Sequence, residues 1–349
     1  MDPTPHEPPL TSLAHGGGCG CKLAPGVLAE ILAGTPLALA HPQLLVDAST
    51  SDDAAVYQVS ADAAIVATTD FFTPIVDDPF EFGRIAATNA LSDVYAMGGR
   101  PIFSLAIVGM PIGKLSIGTI QKILEGGRSV AELAGAPIAG GHSIDAAEPI
   151  YGLVALGLVH PRKILRNKGA RAGDVLILGK PLGIGIFSAA LKRGALDGAS
   201  YRAMIDSTTR LNTPGAELSG IAGVHAATDV TGFGLLGHLG EIVRASAVRA
   251  VIDRPVPVFP AAEALVRDGV KTGASARNWA SVAPIVEAPE DWPQHRRDLF
   301  CDPQTSGGLL VSCAPESTES VLAVFRAHGH TAAAVIGRIE DGAPGIVVN

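Results

Sequence analysis

Residues His15 to Lys22 read HGGGCGCK, and four of the eight are glycine. Glycine reaches positive φ without steric cost and lets a backbone come close to a ligand, so this stretch has little fixed shape of its own. Order has to come from the remainder of the chain. Two thiols and an ammonium group ride on the segment. Cys19 and Lys22 are three apart, so a cation can sit near the sulfur and favour its thiolate. A mobile arm of this make-up suits an enzyme that closes over a small, reactive substrate. It also suits an unstructured tail whose cysteines do nothing.

The 349 residues suffice for two domains. Hydrophobic residues make up 47% and charged residues 17%, which provides for a large core. Aromatics are only 5%, so that core is aliphatic. A net charge of −8 without a basic block argues against binding a nucleic-acid backbone and suits carboxylates that hold cations. Four cysteines form no disulfide framework in a chain this long, which points to a reducing, cytoplasmic setting. The acidic, proline-rich MDPTPHEPPL lacks the pattern of a secretory leader. No apolar run approaches the ~20 residues of a membrane helix.

Periodicity and punctuation divide the chain into segments. Residues 1–24 read as a flexible arm, 25–160 as one domain, 161–173 as a linker and 174–349 as a second domain. Pro25 opens a short helix with Val27, Leu28, Ile31 and Leu32 on one face, and Gly34 ends it. AVYQV and AAIVATTDFF read as strands, the first entered from Asp52-Asp53 and the second closing near Asp70. Pro79 begins a long helix stopped by Gly98-Gly99. Asn89 and Asp93 lie four apart on it, so they share a face. PIFSLAIVGM is a strand, and Ser116 caps a helix that runs to about Leu133. APIAGGHS reads as a short strand into a Gly-Gly turn, and YGLVALGLV as a further strand. HPRKILRNKGARAG (160–173), with five basic residues, marks the boundary. DVLILGK then starts a second α/β sequence, in which ATDV at 227–230 echoes TTDF at 68–71.

Asp53, Asp70, Asp93 and Asp229 are the candidate carboxylates. If they converge, their repulsion is costly in the empty protein, and divalent cations relieve it. Mg²⁺ favours oxygen ligands and is shared between carboxylates and substrate phosphates. Turns and strand ends also favour aspartate for reasons unrelated to metals, so four solvated aspartates fit the spacing too. AGGHS at 139–143 offers backbone N–H groups and a hydroxyl, which suits an anion cradle or an ordinary tight turn. GIGIF at 183–187 opens a helix, whose N-terminus attracts phosphate. No GxxxxGK[ST] occurs. His142 and His238 are candidate ligands or packing residues. Cys301 and Cys313 read as core residues. His15 with Cys19 and Cys21 has poor spacing for structural zinc.

HGGGCGCK, DDAAVY, TTDFFTPIVDD, NALSDVYAMGG, AGGHSID, TDVTGFGLLGH and DPQTSGGLLVS occur in that order from about residue 13 onward. Together they resemble the selenide, water dikinase (selenophosphate synthetase) family, within the wider group of aminoimidazole-ribotide-synthetase-like ATP-binding proteins. The resemblance implies an α+β fold of two domains, with N-terminal sheets pairing into a β-barrel across a homodimer. It implies that ATP, selenide and water give selenophosphate, AMP and phosphate, with several Mg²⁺ ions per site. Carried over position by position, Cys19 would hold or deliver selenium and Lys22 would contact the ATP phosphates. Asp53, Asp93 and Asp229 would hold Mg²⁺, and Asp70 would take part in nucleotide and metal binding. Thr50, Ser51 and Asp52 would line the nucleotide. Gly141, His142 and Ser143 would reach ATP bound to the partner chain, and Asn89 would support the phosphate site. A selenium-delivery protein is a further implied partner. The arm has glycine where relatives often carry another small residue, and cysteine where some carry selenocysteine.

Phosphoryl transfer needs positioning and charge neutralisation more than covalent chemistry, which such a set supplies. Two other readings remain: another ATP-dependent enzyme of the same superfamily, or a nucleotide- or metal-binding module without turnover.

Overall fold

The computed structural model describes residues 7–23, 25–33, 41–47 and 51–349. Thr50, the expected helix end at Gly34 and the proline-containing connection after it lie outside the described residues. Helix α1 (Pro25–Ala33) starts at the expected proline. Its Val27, Leu28 and Ile31 side chains are exposed.

Among the described residues, the first domain is a six-stranded sheet against which two helices pack. Its strands are β1 (Leu44–Val46), β2 (Ala55–Gln58), β3 (Ala64–Phe72), β4 (Arg100–Met110), β5 (Ile138–Asp145) and β6 (Ile150–Val159). They lie in the order β1-β2-β3-β6-β4-β5, antiparallel except where β5 runs parallel to β4 at the edge. Alternation along β3 turns Thr68, Asp70 and Phe72 inward and Thr69 and Phe71 outward. Asp70 therefore sits two residues before the strand ends.

Helix α2 (Pro79–Ala96) is the structural axis. Asp78 caps it by accepting from Glu81 N, and Pro79 fills the first turn. Phe82, Ile85, Ala86, Ala90, Leu91 and Val94 are all buried. Helix α3 (Ile117–Leu133), capped by Ser116 as expected, packs beside it. The remaining polar face of α2, with Asn89, Ser92 and Asp93, points toward the second domain.

The AGGHS stretch departs from its expected turn. Strand β5 runs straight through Gly140 and Gly141, with a register shift against β4 between Ser104 and Ala106. A Cβ at Gly141 would collide with the Ala106 carbonyl. The glycine serves close strand approach rather than chain reversal.

The second domain has seven strands: β7 (Val175–Leu178), β8 (Val224–Asp229), β9 (Arg249–Ile252), β10 (Val286–Glu287), β11 (Leu309–Cys313), β12 (Ala334–Glu340) and β13 (Gly345–Val348). Their order is β10-β13-β9-β12-β7-β11-β8. Helices α4 (Ile184–Lys192), α5 (Gly198–Thr208), α6 (Pro214–Leu218), α7 (Gly234–Ser246), α8 (Pro260–Arg267), α9 (Gly273–Val282), α10 (Gln294–Phe300) and α11 (Thr318–Ala327) complete it. Cys301 and Cys313 are fully buried, in keeping with a core role.

The basic stretch between the domains is tied to both. Leu165 N donates to Met97 O, and Ala227 N donates to Arg166 O. Asn167, fully buried, donates from its backbone to Asp52 Oδ1 and from its side chain to Ser51 O. These bonds fix the polar face of α2 against the end of β8.

Candidate active site

Three elements bring the carboxylates together. Asp53 precedes β2, Asp93 projects from α2, and Asp229 ends β8 in the other domain. One oxygen from each lies within 4.8 Å of the others. Asp229 is 1% exposed, and Asp53 is half-buried. Each has one hydroxyl partner: Thr228 Oγ1 donates to Asp53 Oδ1 at 2.8 Å, Thr68 to Asp93 and Ser92 to Asp229. Asn212 Nδ2 in turn donates to Ser92 Oγ at 2.7 Å and to Gly307 O at 2.8 Å. Asp53 Oδ2 is buried without a partner.

Burial pushes the pKa of Asp53 well above the usual carboxylate range, and the Asp229 and Asp93 charges push it further. Asp93 is raised well above that range by burial and then by Asp229 and Asp70. Burial raises Asp229 as well, against the Ser92 hydroxyl, which favours its ionised form. An all-oxygen donor set with an orphaned carboxylate oxygen and mutual repulsion fits a hard divalent cation such as Mg²⁺.

Asp70 has different company. Its Oδ2 accepts from Lys22 Nζ at 3.0 Å and from Asn89 Nδ2 at 2.7 Å. It is thereby neutralised beside the trio rather than forming part of it. Partial withdrawal from water works against the Lys22 ammonium, but Asp70, with Cys19 and Asp93 behind it, outweighs this and holds the lysine charged. About a third of the Lys22 side chain, 36%, stays exposed.

The glycine-rich arm folds down over this pair. Gly18 N donates to Thr73 O at 2.8 Å, Thr73 Oγ1 donates to Gly16 O, and Lys192 Nζ donates to Ala14 O. Cys19 is 1% exposed, and its thiol donates to Asn89 Oδ1 at 3.2 Å. The expected thiolate is not favoured in this position. Burial dominates and holds the thiol pKa well above the ordinary value; Lys22 lowers it, and Asp70 adds to the rise. Cys21 points elsewhere, into a cavity of about 570 Å³ on the outer side of the arm that Lys22, Lys192 and Arg277 also line.

The other expected residues are more scattered. Ser51 and Asp52 adjoin Asp53, and both accept from Asn167. Gly141, His142 and Ser143 lie exposed on edge strand β5, away from the trio. His238, buried on α7, pairs with Glu241 at 3.0 Å and faces Thr231.

Several residues of the site were not among the expected ones: Thr68, Ser92, Asn212 and Thr228, together with Thr305, which accepts from Cys19 N, and Ser306, whose N–H donates to Asn89 Oδ1. Thr68 had a signal, since it lies two residues before Asp70 and so shares its face. Ser92 and Asn212 had none, because their pairing crosses 120 residues.

Residues 51–159 match the N-terminal domain model of AIR synthase related proteins, and residues 171–349 match the C-terminal domain model. A protein of Burkholderia ambifaria (strain MC40-6) named selenide, water dikinase is 62% identical, covering 97% of this chain and 96% of its own. The protein of that name from Pseudomonas straminea is 59% identical, covering 100% and 97%. Among solved structures, thiamine-monophosphate kinase from Stenotrophomonas maltophilia K279a shares the fold at 23% identity and TM-score 0.64, covering 94% of this chain and 96% of its own. The hydrogenase maturation protein HypE in complex with ATP does so at 20% identity and TM-score 0.62, covering 98% and 94%.

Proposed function

The chain belongs to the selenide, water dikinase family of the AIR synthase related proteins, and from that premise we propose how its residues make selenophosphate. The reaction converts ATP, selenide and water into selenophosphate, AMP and phosphate. The observation that carries the assignment of roles is the convergence of Asp53, Asp93 and Asp229 beside the Lys22–Asp70 pair, under an arm that buries Cys19.

Asp53, Asp93 and Asp229 would hold Mg²⁺, whose charge would offset that of the triphosphate, about −4. Lys22 binds a phosphate oxygen, exchanging the Asp70 carboxylate for it. Asp70 keeps the ammonium charged and aimed until then, and Asn89 holds Asp70 from the other side. Ser51 and Asp52, with Thr50, line the nucleotide.

Cys19 is the selenium-handling residue. Its burial has two consequences: the closed arm keeps the sulfur protonated, and it keeps bulk water from the phosphates. Selenide therefore meets Cys19 when the arm lifts, and transfer takes place when it closes. A positioned water admitted afterwards hydrolyses the remaining ADP to AMP and phosphate.

Edge strand β5 supports a homodimer. It lies at the edge of the sheet among the described residues and exposes Ile144. In such a pair Gly141, His142 and Ser143 reach the partner's nucleotide. No described helix is long and apolar enough to cross a membrane; a cytoplasmic enzyme supplied by a selenium-delivery protein is the setting we propose.

Phosphorus NMR of the protein with Mg-ATP, with and without anaerobic selenide, tests the reading. A new selenium-coupled phosphorus signal together with AMP is the expected result. ADP as final product, or turnover indifferent to selenide, overturns it.

A further inference from the structure

We propose that Thr305 is a positioning residue: its hydroxyl latches the closed arm from the second domain and so sets how readily Cys19 is exposed. Two backbone N–H groups anchor the arm at its tip. Gly18 N donates to Thr73 O in the first domain, and Cys19 N donates to Thr305 Oγ1 at 3.1 Å in the second. Thr305 itself is 4% exposed.

The loop carrying Thr305 is built independently of the arm. It lies between α10 and β11. Gln304 N donates to Thr231 O, and the Gln304 amide donates to Asp302 O and accepts from Gly183 N and Ile184 N. Ser306 adopts φ 49, a left-handed conformation costly for a residue with a Cβ. Two bonds hold it there. Its N–H donates to Asn89 Oδ1 at 2.7 Å, and its carbonyl accepts from the buried Lys180 ammonium at 2.8 Å, which also donates to Arg210 O.

Latch and thiol therefore share an anchor. Asn89 Oδ1 receives both the Ser306 N–H and the Cys19 S–H, so placing Thr305 also places the sulfur's acceptor. Threonine is stiff at χ1, which keeps the Oγ1 acceptor aimed. The arm has a matching feature at Gly18, which sits at φ 53, and any Cβ there would collide with Thr305 Oγ1 and Ile75. Only glycine passes beneath the latch.

The consequence for turnover rests on the selenium role proposed for Cys19; the latch is measurable without any substrate. The substrate-free full chain is treated with iodoacetamide, and labelling is mapped cysteine by cysteine with mass spectrometry. Losing one hydrogen bond, about 1 kcal/mol, should speed Cys19 labelling about fivefold in Thr305→Val. Thr305→Ser, which keeps the hydroxyl, should label at a rate close to the parent's, and Gly18→Ala should accelerate like Thr305→Val. Cys301 and Cys313 stay unlabelled if the fold is intact. Selenide-dependent kcat should fall in Thr305→Val and return in Thr305→Ser, with KM for ATP little changed.

Unchanged Cys19 labelling in both Thr305→Val and Gly18→Ala overturns the latch. So does Thr305→Ser behaving like Thr305→Val, since shape rather than the hydroxyl would then decide. If Thr305→Val exposes Cys301, the comparison of Gly18→Ala with Thr305→Ser decides by the same criteria. Turnover independent of selenide alongside the expected labelling leaves the latch standing and removes the selenium reading.

Discussion

Asp70 and Asp229 come from nearly the same local sequence, TTDF in one domain and ATDV in the other. Each lies near the inner end of a strand and is almost fully buried, at 6% and 1% exposed. Their surroundings are opposite. Asp70 is met by an ammonium and an amide on a single oxygen. Asp229 is met by two further carboxylates; the Ser92 hydroxyl is its side-chain hydrogen-bond donor, and the Lys22 charge acts on it from farther off. A strand-end aspartate is thus half of an ion pair in one place and a member of a crowded carboxylate cluster in the other. What separates them is what the arm and the opposite domain bring, which the strand itself does not encode.

Asp229→Asn should have the largest effect. Removing one fixed charge at the phosphate-binding centre should cost turnover on the order of 10³-fold in a steady-state AMP assay. Normal activity would mean that the trio is not the catalytic centre. Asp70→Asn should cost about 10²-fold, because Lys22 and Asn89 lose their common anchor while the trio survives. An effect equal to that of Asp229→Asn would erase the distinction between the two carboxylates.

Metal binding sharpens the contrast. Burial and mutual repulsion make the empty trio hold its protons more tightly than ordinary aspartates do. Mg²⁺ should displace them, so calorimetry in buffers of different ionisation enthalpy should detect proton release at pH 7. The release should shrink as pH rises through the raised values, fall in Asp229→Asn and persist in Asp70→Asn.

The smallest effect concerns stability and has an unusual sign. A carboxylate whose folded pKa is raised costs stability as pH climbs from the ordinary aspartate value toward the raised one. In metal-free protein, Asp229→Asn should therefore raise Tm by about 2 °C, for about 1 kcal/mol relieved. Scanning calorimetry should find the gain larger at pH 8 than at pH 5. Asp70→Asn should lower Tm, since it breaks a compensated contact.

Much of this molecule was legible in its sequence. Pro79 with Asp78, and Ser116, mark α2 and α3 because capping is satisfied within one turn. The period-2 run of β3 shows which residues share a face, and four-residue spacing puts Asn89 and Asp93 together on α2. These are local rules, and local sequence contains them in full. The same rules failed at AGGHS, where glycine signals a turn unless a neighbouring strand needs the space, and Ala106 is that neighbour.

Tertiary structure alone decided the pairings. Cys19 beside Lys22 suggests a thiolate, yet the fold buries the sulfur and commits the lysine to Asp70, so the thiol keeps its proton. Asp229 reaches Asp53 and Asp93 because α2, in the first domain, packs its polar face against β8 and the linker residues Leu165, Arg166 and Asn167 are tied to both domains. Sequence determined which residues could carry charge, sulfur and tight turns. Folding determined which of them face water, cation or one another, because solvation and Coulomb energies depend on distances across the whole chain rather than on spacing along it.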